Sequence, residues 1–593
     1  MPQPPARPRP PGHPPGPPGV SISELRRRLF SRTRSNTFRD EIRDLLLALC
    51  RVDTTPGSTP ARMQAAEAEC FAVVEQELRG HQVSGASCER RPVDPAIQQH
   101  PAYSPVHFTG RPARAGGLAA AEAYAGRANL LYFIPGTGAG RPGHSVALNG
   151  HLDVVPPYHP PSAEADLVFG RGACDDKGPV TAMLAALRVL SELMRETGLE
   201  WNRPVTALFV IDEETGGNGS LSLAVDKALR PLYESVMVCE CTDLQIHPAN
   251  RGAVWYRAEI ESPAGVDALE LVAAVVLGLE AEGAAIRAES RHPLFPLRPV
   301  QTCHGMLGPF GALPSRVCPE VALEMVWPGA GRADSRVRAL LEDVLDAGLT
   351  AYTSLYGDKT KTLDPTTGKP LVGHHYDLKP TQAGFVIEVH GAAGHMGAVR
   401  DRDGAITKMA FLVRDLLRSR HRLETAAGGA LRLQLAGHAG TGPLVLEGGQ
   451  GFLPTHPIAE IMDRLRRAAG RGVASVCREH GVAGDPAKLV TVTYDRLHNA
   501  AFDGDPDSPM MRHALTAARA CGIPLPEAVT GWSVSCDARL FATEHPGLPV
   551  ITFGPGELRH AHSDQEQIRL DDIVRAAEFL ALFLLRHTGT ADV

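Results

Sequence analysis

The chain has no CxxC pair, no apolar run near the roughly 20 residues that span a bilayer, and no strong excess of either charge. Each absence removes a class of protein. Eleven cysteines, an odd number and scattered, argue against a disulfide framework and for reduced thiols in a cytoplasmic protein. A formal net charge of −7 leaves no electrostatic footprint for nucleic acid or for an anionic membrane. The glycine-rich phosphate loop ending in Gly-Lys-Ser/Thr is missing, and so is the GxSxG elbow of serine hydrolases. What remains is a composition of 43% hydrophobic and 21% charged residues over 593 positions, typical of a soluble globular protein. That length exceeds one ordinary core, so two or more domains are expected.

The first 19 residues are rich in proline and an arginine-rich patch runs to about residue 34. No apolar stretch follows, so this is not read as a secretory signal. Residues 1–35 are expected to form an extended, disordered tail. An SH3-like partner could bind it, but a plain extension is the simpler reading.

Periodicity predicts helices over 37–51 and 61–78, strands over 129–134 and 145–148, and a helix over 178–194 with Pro179 in its first turn. The glycine run 136–140 lies between two strands and not before a helix, so it reads as a hairpin turn, not a dinucleotide loop. Buried strands over 205–211 and 235–239 follow. Alternating strands and helices with acids at strand ends describe an α/β sheet carrying a site along one edge.

From about 253 to 505 the pattern changes. A half-exposed strand at 254–260 leads to a helix at 266–282, a strand near 321–326 and a helix near 335–345. The scheme then recurs with a strand at 385–389 and helices at 404–417 and 458–467. Gly311-Ala312-Leu313-Pro314-Ser315 is echoed by Gly451-Phe452-Leu453-Pro454-Thr455. These features predict an inserted domain of two related half-units, about 253–380 and 381–505. It would separate a first catalytic part, 36–252, from a second, 506–593.

The chemistry concentrates in a few phrases. Asn149-Gly150-His151-Leu152-Asp153-Val154-Val155-Pro156 puts His151 and Asp153 on one side at a strand end, where a carboxylate can fix an imidazole's tautomer. Asp175 follows a glycine-rich turn and precedes a helix. Glu213 and Glu214 are adjacent, so one suits a metal and the other an attacking water. Glu240 and His562 close strands or loops downstream. So many carboxylates repel one another unless divalent cations intervene. Two ions sharing a carboxylate form a clamp for hydrolysis, and imidazole with carboxylate suits Zn²⁺, with Co²⁺ or Mn²⁺ possible. Cys239 and Cys241 form only a CxC and are read as packing residues.

The ordered set HLDVVP, GRGACDDKGP, DEETGG, CECTD with NRGAVW, and FGPGELRHAHSD resembles the M20 family of metallopeptidases and deacylases, across about 145–255 and 505–585. The resemblance implies an α/β, zinc-peptidase-like catalytic domain with a central mixed sheet flanked by helices, plus an inserted α+β lid domain. It implies His151 on one metal with Asp153 orienting it, Asp175 bridging, Glu213 as general base and acid, and Glu214 on the second metal. Glu240 would complete the first metal site and His562 the second. The phrase Val389-His390-Gly391-Ala392-Ala393-Gly394-His395 matches the spacing of the family's lid histidine, so His395 is expected to donate to the oxyanion. His390 is not. A doubled lid resembles the monomeric PepV-type dipeptidases and implies a monomer; an undoubled one would imply a homodimer.

Two positions and one phrase depart from the family pattern. Cys241 stands for Pro, Asn250 for His, and Ser533-Val534-Ser535-Cys536-Asp537-Ala538-Arg539 is a loose version of a substrate phrase. Arg539 could meet a substrate carboxylate or make a structural salt bridge. Asp176 and Lys177 are expected to organise their turn. The reading is a two-metal amide hydrolase of dipeptides or small peptides. The alternatives are an N-acyl amino acid deacylase of the acetylornithine or succinyl-diaminopimelate type and, more remotely, a non-catalytic binding relative.

Overall fold

Four neighbouring parallel strands, each buried from end to end, make up most of the sheet that carries the site. In the computed structural model, which describes residues 22–57, 59–106, 118–138, 144–311, 313–327, 335–364, 367–394, 396, 403–438 and 442–590, this sheet has six strands. In spatial order they are Ser87–Pro92, Ala128–Ile134, Val205–Val210, Val146–His151, Val236–Cys239 and Val550–Phe553. The last four run parallel and Ala128–Ile134 pairs antiparallel with both its neighbours, so the sheet is mixed. Full burial on both faces is what central parallel strands require. The helices Lys177–Thr197 and Leu570–His587 pack against each other, and the main core lies between such helices and the sheet. Pro179 sits in the first turn of Lys177–Thr197 and Gly198 ends it in the left-handed conformation.

The glycine run 136–140 does not close a hairpin between its flanking strands. Val205–Val210 lies between Ala128–Ile134 and Val146–His151 and bonds to both. Residues 22–33, expected in the disordered tail, form the helix Ile22–Thr33, whose Leu25 and Leu29 are buried. The expectation for residues 1–21 lies outside the described residues.

The inserted segment builds two sheets of one topology. In the first, the strands Gly252–Ile260, Thr302–Leu307, Leu444–Phe452 and Val490–Thr493, numbered in chain order, lie in spatial order 2-3-1-4. In the second, Glu320–Val326, Tyr376–Pro380, Gly384–His390 and Arg432–Leu435 repeat that order. Each has a long helix between strands 1 and 2 and another between strands 3 and 4, where the inner unit adds the short helix Arg420–Ala427. The half-units are therefore not the consecutive stretches 253–380 and 381–505. One is nested between strands 2 and 3 of the other. The echo at 311–315 and 451–455 is not the repeat either, because both copies fall within the outer unit. Helix Ala268–Glu289 of the outer unit packs on Ala405–Arg418 of the inner one, and a single core serves both.

Candidate metal centre

All four parallel strands deliver their carboxyl ends to one place, the usual position of a site in an open α/β sheet. Val146–His151 ends in His151, Val236–Cys239 is followed by Glu240, and Val205–Val210 leads through Asp212 to Glu213 and Glu214. The loop after Val550–Phe553 brings in His562, whose φ of 58° is left-handed, as is that of Asp212 at 62°. Asp175 comes from the turn before Lys177–Thr197, and its peptide bond to Asp176 is cis.

Asp175 stands between two histidines. Its Oδ1 is 3.1 Å from His151 Nε2 and its Oδ2 is 3.3 Å from His562 Nε2. Glu240 Oε1 lies 3.9 Å from the first imidazole, and Glu214 Oε1 lies 3.0 Å from the second. The two halves thus mirror each other about one carboxylate. His151 Nδ1 donates to the Asp153 carbonyl at 3.0 Å, which leaves Nε2 pointing at the acids.

The Asp153 carboxylate, expected to orient His151, stands 3.5 Å from its Nδ1 and does a job that its spacing did not reveal. Its two oxygens accept the backbone N–H groups of Glu213 and Glu214 at 3.1 and 3.0 Å, so one side chain positions both glutamates. Asp153→Asn would turn an amide NH₂ towards one of these N–H groups. We expect it to lower metal affinity about 10–100-fold, as loss of an outer partner does, measured by competition with a chromophoric chelator.

Asp176 accepts the His151 backbone N–H at 3.1 Å, and Lys177 Nζ donates to the Val52 carbonyl at 2.8 Å, so both organise the turn as expected. Arg539 does not reach the cleft. It is buried and donates to the Gly216 carbonyl at 2.9 Å, bracing the loop behind Glu214. Asn250 is buried and donates to Cys536 Sγ at 3.0 Å. His390 pairs with Asp377 at 3.0 Å, away from the centre. His395 lies outside the described residues; its neighbour Met396 lines the cleft.

Glu566 escaped the motif reading although it stands four residues beyond His562. Its Oε1 accepts three backbone N–H groups, those of Gly172, Cys174 and Asp175, each at 3.0 Å. Its Oε2 accepts from Arg171 at 2.6 Å. This buried carboxylate shapes the loop that presents Asp175, and burial pushes it up to about 7.

Burial is also the main reason that Glu213, Glu214, Glu240 and Asp176 are raised above the ordinary carboxylate range, and neighbouring acids add to it. Burial works against the two imidazoles, yet their acidic partners outweigh it and hold His151 and His562 well above the usual value. Asp175 goes the other way: hydrogen bonds from both histidines overcome burial and hold it low. Positive charge is what this cluster calls for. His151, Asp175 and Glu214 offer ligand atoms within 4.8 Å of one another, so the donor set could hold divalent cations.

A cavity of about 300 Å³ opens over the centre. Asp175, Glu213, Glu214, Glu240 and His562 line its floor, and Trp532 joins from the catalytic side. Arg251 stands at the junction of the two domains, and the inserted domain closes the cavity with Trp255, Leu313, Met396 and Leu497. Arg251 and Trp255 stand in the very phrase NRGAVW, so their neighbourhood was marked in the sequence while their role in the wall was not.

A mixed α/β sheet with a histidine–carboxylate centre at its carboxyl edge, capped by an inserted domain, defines a class of metal-site proteins. The chain belongs to peptidase family M20/M25/M40, whose model matches residues 147–586. Over 147 residues it is 31% identical to a probable carboxypeptidase of Emericella nidulans, covering 22% of this chain and 32% of that protein. The matched stretch therefore spans about a third of that relative. Human carnosine dipeptidase 1 has the same fold, with a TM-score of 0.54 and 14% identity over 95% of this chain and 100% of that one. The dipeptidase Dug1p of Saccharomyces cerevisiae is similar to the same degree, with a TM-score of 0.54 and 14% identity over 96% and 99%. Among the described residues, no helix is long and apolar enough to cross a membrane.

Proposed function

We propose that the chain is a two-metal amide hydrolase acting on dipeptides or other small peptides. One observation carries the reading: the two oxygens of Asp175 face different histidines, each of which has its own glutamate. His151 and Glu240 would hold one ion, His562 and Glu214 the other, and Asp175 both. Zn²⁺ suits these donors, with Co²⁺ or Mn²⁺ as substitutes. When bound, such ions polarise an amide carbonyl and lower the pKa of water. Glu213 lines the cavity beside them. It takes the proton from the attacking water and returns it to the leaving amine.

The substrate class rests on size and lining. A volume of about 300 Å³ is at the small end of ligand pockets, which run to about 1,000 Å³. The lining combines Trp255 and Trp532 with Arg251, which is buried and donates to the Pro299 carbonyl at 3.0 Å, and its scale suits a short peptide. Two lid units within one chain already pack on each other, so we propose a monomer. Eleven free thiols fit a cytoplasmic enzyme.

The test is a panel of dipeptides and N-acyl amino acids offered to Zn²⁺-, Co²⁺- or Mn²⁺-loaded protein. We expect dipeptide turnover that a chelator abolishes and added metal restores. Turnover confined to N-acyl amino acids would make the protein a deacylase. No metal-dependent turnover of any amide would overturn the proposal.

A further inference from the structure

A second cluster of metal-ligating side chains lies at the far end of the sheet. His144 precedes the strand Val146–His151 at the end opposite His151, roughly 20 Å from the carboxylate centre at about 3.3 Å per strand residue. His513 comes from helix Pro509–Cys521 and His587 is the last residue of Leu570–His587. One ring nitrogen from each lies within 4.8 Å of the other two. His513 Nδ1 and His587 Nδ1 are 3.1 Å apart. Two nitrogens on a tetrahedral ion with bonds of about 2.0–2.1 Å stand about 3.3 Å apart, so this pair is already at ligand spacing.

The protons of two of the three rings, His587 and His144, are placed for ligation as well. Ser235 Oγ donates to the Ser145 carbonyl at 3.0 Å, so at 2.9 Å it accepts from His587 Nε2. The lone pair of His587 is then on Nδ1, facing His513. His144 Nδ1 lies 2.6 Å from the His587 carbonyl oxygen, which can only accept. That nitrogen therefore carries the proton, and Nε2 carries the lone pair. Metal-bound histidines show this arrangement, with one ring N–H fixed on an oxygen and the other nitrogen free to bind. Burial, reinforced by the neighbouring imidazoles, holds His587 down at about 3. Burial, His144, Arg586 and Arg512 hold His513 at about 4, so these two rings are neutral near pH 7.

We propose that His144, His513 and His587 form a separate transition-metal site that takes a borderline cation such as Zn²⁺, Ni²⁺ or Co²⁺, with solvent as fourth ligand. Three imidazoles select this class over Mg²⁺ or Ca²⁺, which require oxygen donors. Glu234, an acid that acts on His587, is engaged with Ser145 and Arg203. The ion would tie two packed helices, Pro509–Cys521 and Leu570–His587, to the start of the strand that ends in His151. Its role is structural, because it lies far from the cleft.

The experiment counts Co²⁺ in the full chain, stripped and then dialysed against buffered Co²⁺, by elemental analysis. His513→Ala and, separately, His144→Gln should each hold one Co²⁺ fewer per chain than the wild type. Both should keep peptide turnover, and Co²⁺ should raise their Tm less than it raises that of the wild type. Reading a difference makes the result independent of how many ions the cleft holds. Equal counts in wild type and both folded variants would overturn the proposal.

Discussion

Glu213→Gln is expected to lower kcat by about 10²–10⁴-fold while leaving bound metal and KM nearly unchanged. Glu213 is adjacent to Glu214, and the same Asp153 carboxylate holds both backbone N–H groups. Only Glu214 turns towards a histidine, at 3.0 Å from His562. Glu213 instead lines the cavity, and burial, helped by Asp537, raises it well above the ordinary carboxylate range. A buried acid with a raised pKa can accept a proton and still give it back near neutral pH. Glutamine keeps the shape and removes the proton transfer. Steady-state kinetics with elemental analysis of the same samples separates the roles. Retained turnover would remove Glu213 as base, and loss of metal would make it a ligand.

The site was more legible than the fold around it, for a physical reason. His151, Asp175, Glu213, Glu214 and Glu240 each sit at a strand end or a helix start, so local pattern alone placed them along one edge. What it could not show were contacts between distant segments. Leu444–Phe452 is a central strand, yet Gly448, Gly449 and Gly451 disguise it as a turn. Those glycines answer to crowding. A Cβ on Gly448 would sit 2.2 Å from the Cys303 carbonyl, and one on Gly451 would sit 2.4 Å from the Arg251 guanidinium. Helix Ile458–Glu479 runs well beyond the expected end at 467 for a similar reason. Gly472 lets it approach Ala268–Glu289, where a Cβ would meet the Ala274 carbonyl at 2.7 Å. The helix Ile22–Thr33 was hidden by composition. Its arginines suggested a solvated tail, while Leu25 and Leu29, one turn apart, bury themselves against the catalytic helices.

Arg127→Met is expected to destabilise the protein by about 3–5 kcal/mol at neutral pH, because it strands two buried acids. The guanidinium, 1% exposed, is shared between Glu67 at 2.5 Å and Asp212 at 2.6 Å, and it lies 5.0 Å from the centre of the Tyr124 ring. One cation thus serves two carboxylates. Burial therefore pushes Glu67 up to about 8 even with Arg127 beside it. Removing Arg127 takes away the charge that holds Glu67 down and raises that acid further. An acid whose folded pKa exceeds its unfolded value holds more protons in the folded state, so stability falls as pH rises between the two. The deficit of Arg127→Met should therefore be smallest near pH 5 and grow through pH 8, as read from urea denaturation at fixed metal. Adding Glu67→Gln should recover part of it, since one of the stranded charges is then gone. Activity should fall in the folded variant too, because Asp212 immediately precedes Glu213 in a left-handed turn that this ion pair secures. A loss under about 1 kcal/mol with no pH dependence would mean that the cluster is neutral, and the loop that aims the base would have to be held by Asp153 and Arg539 without it.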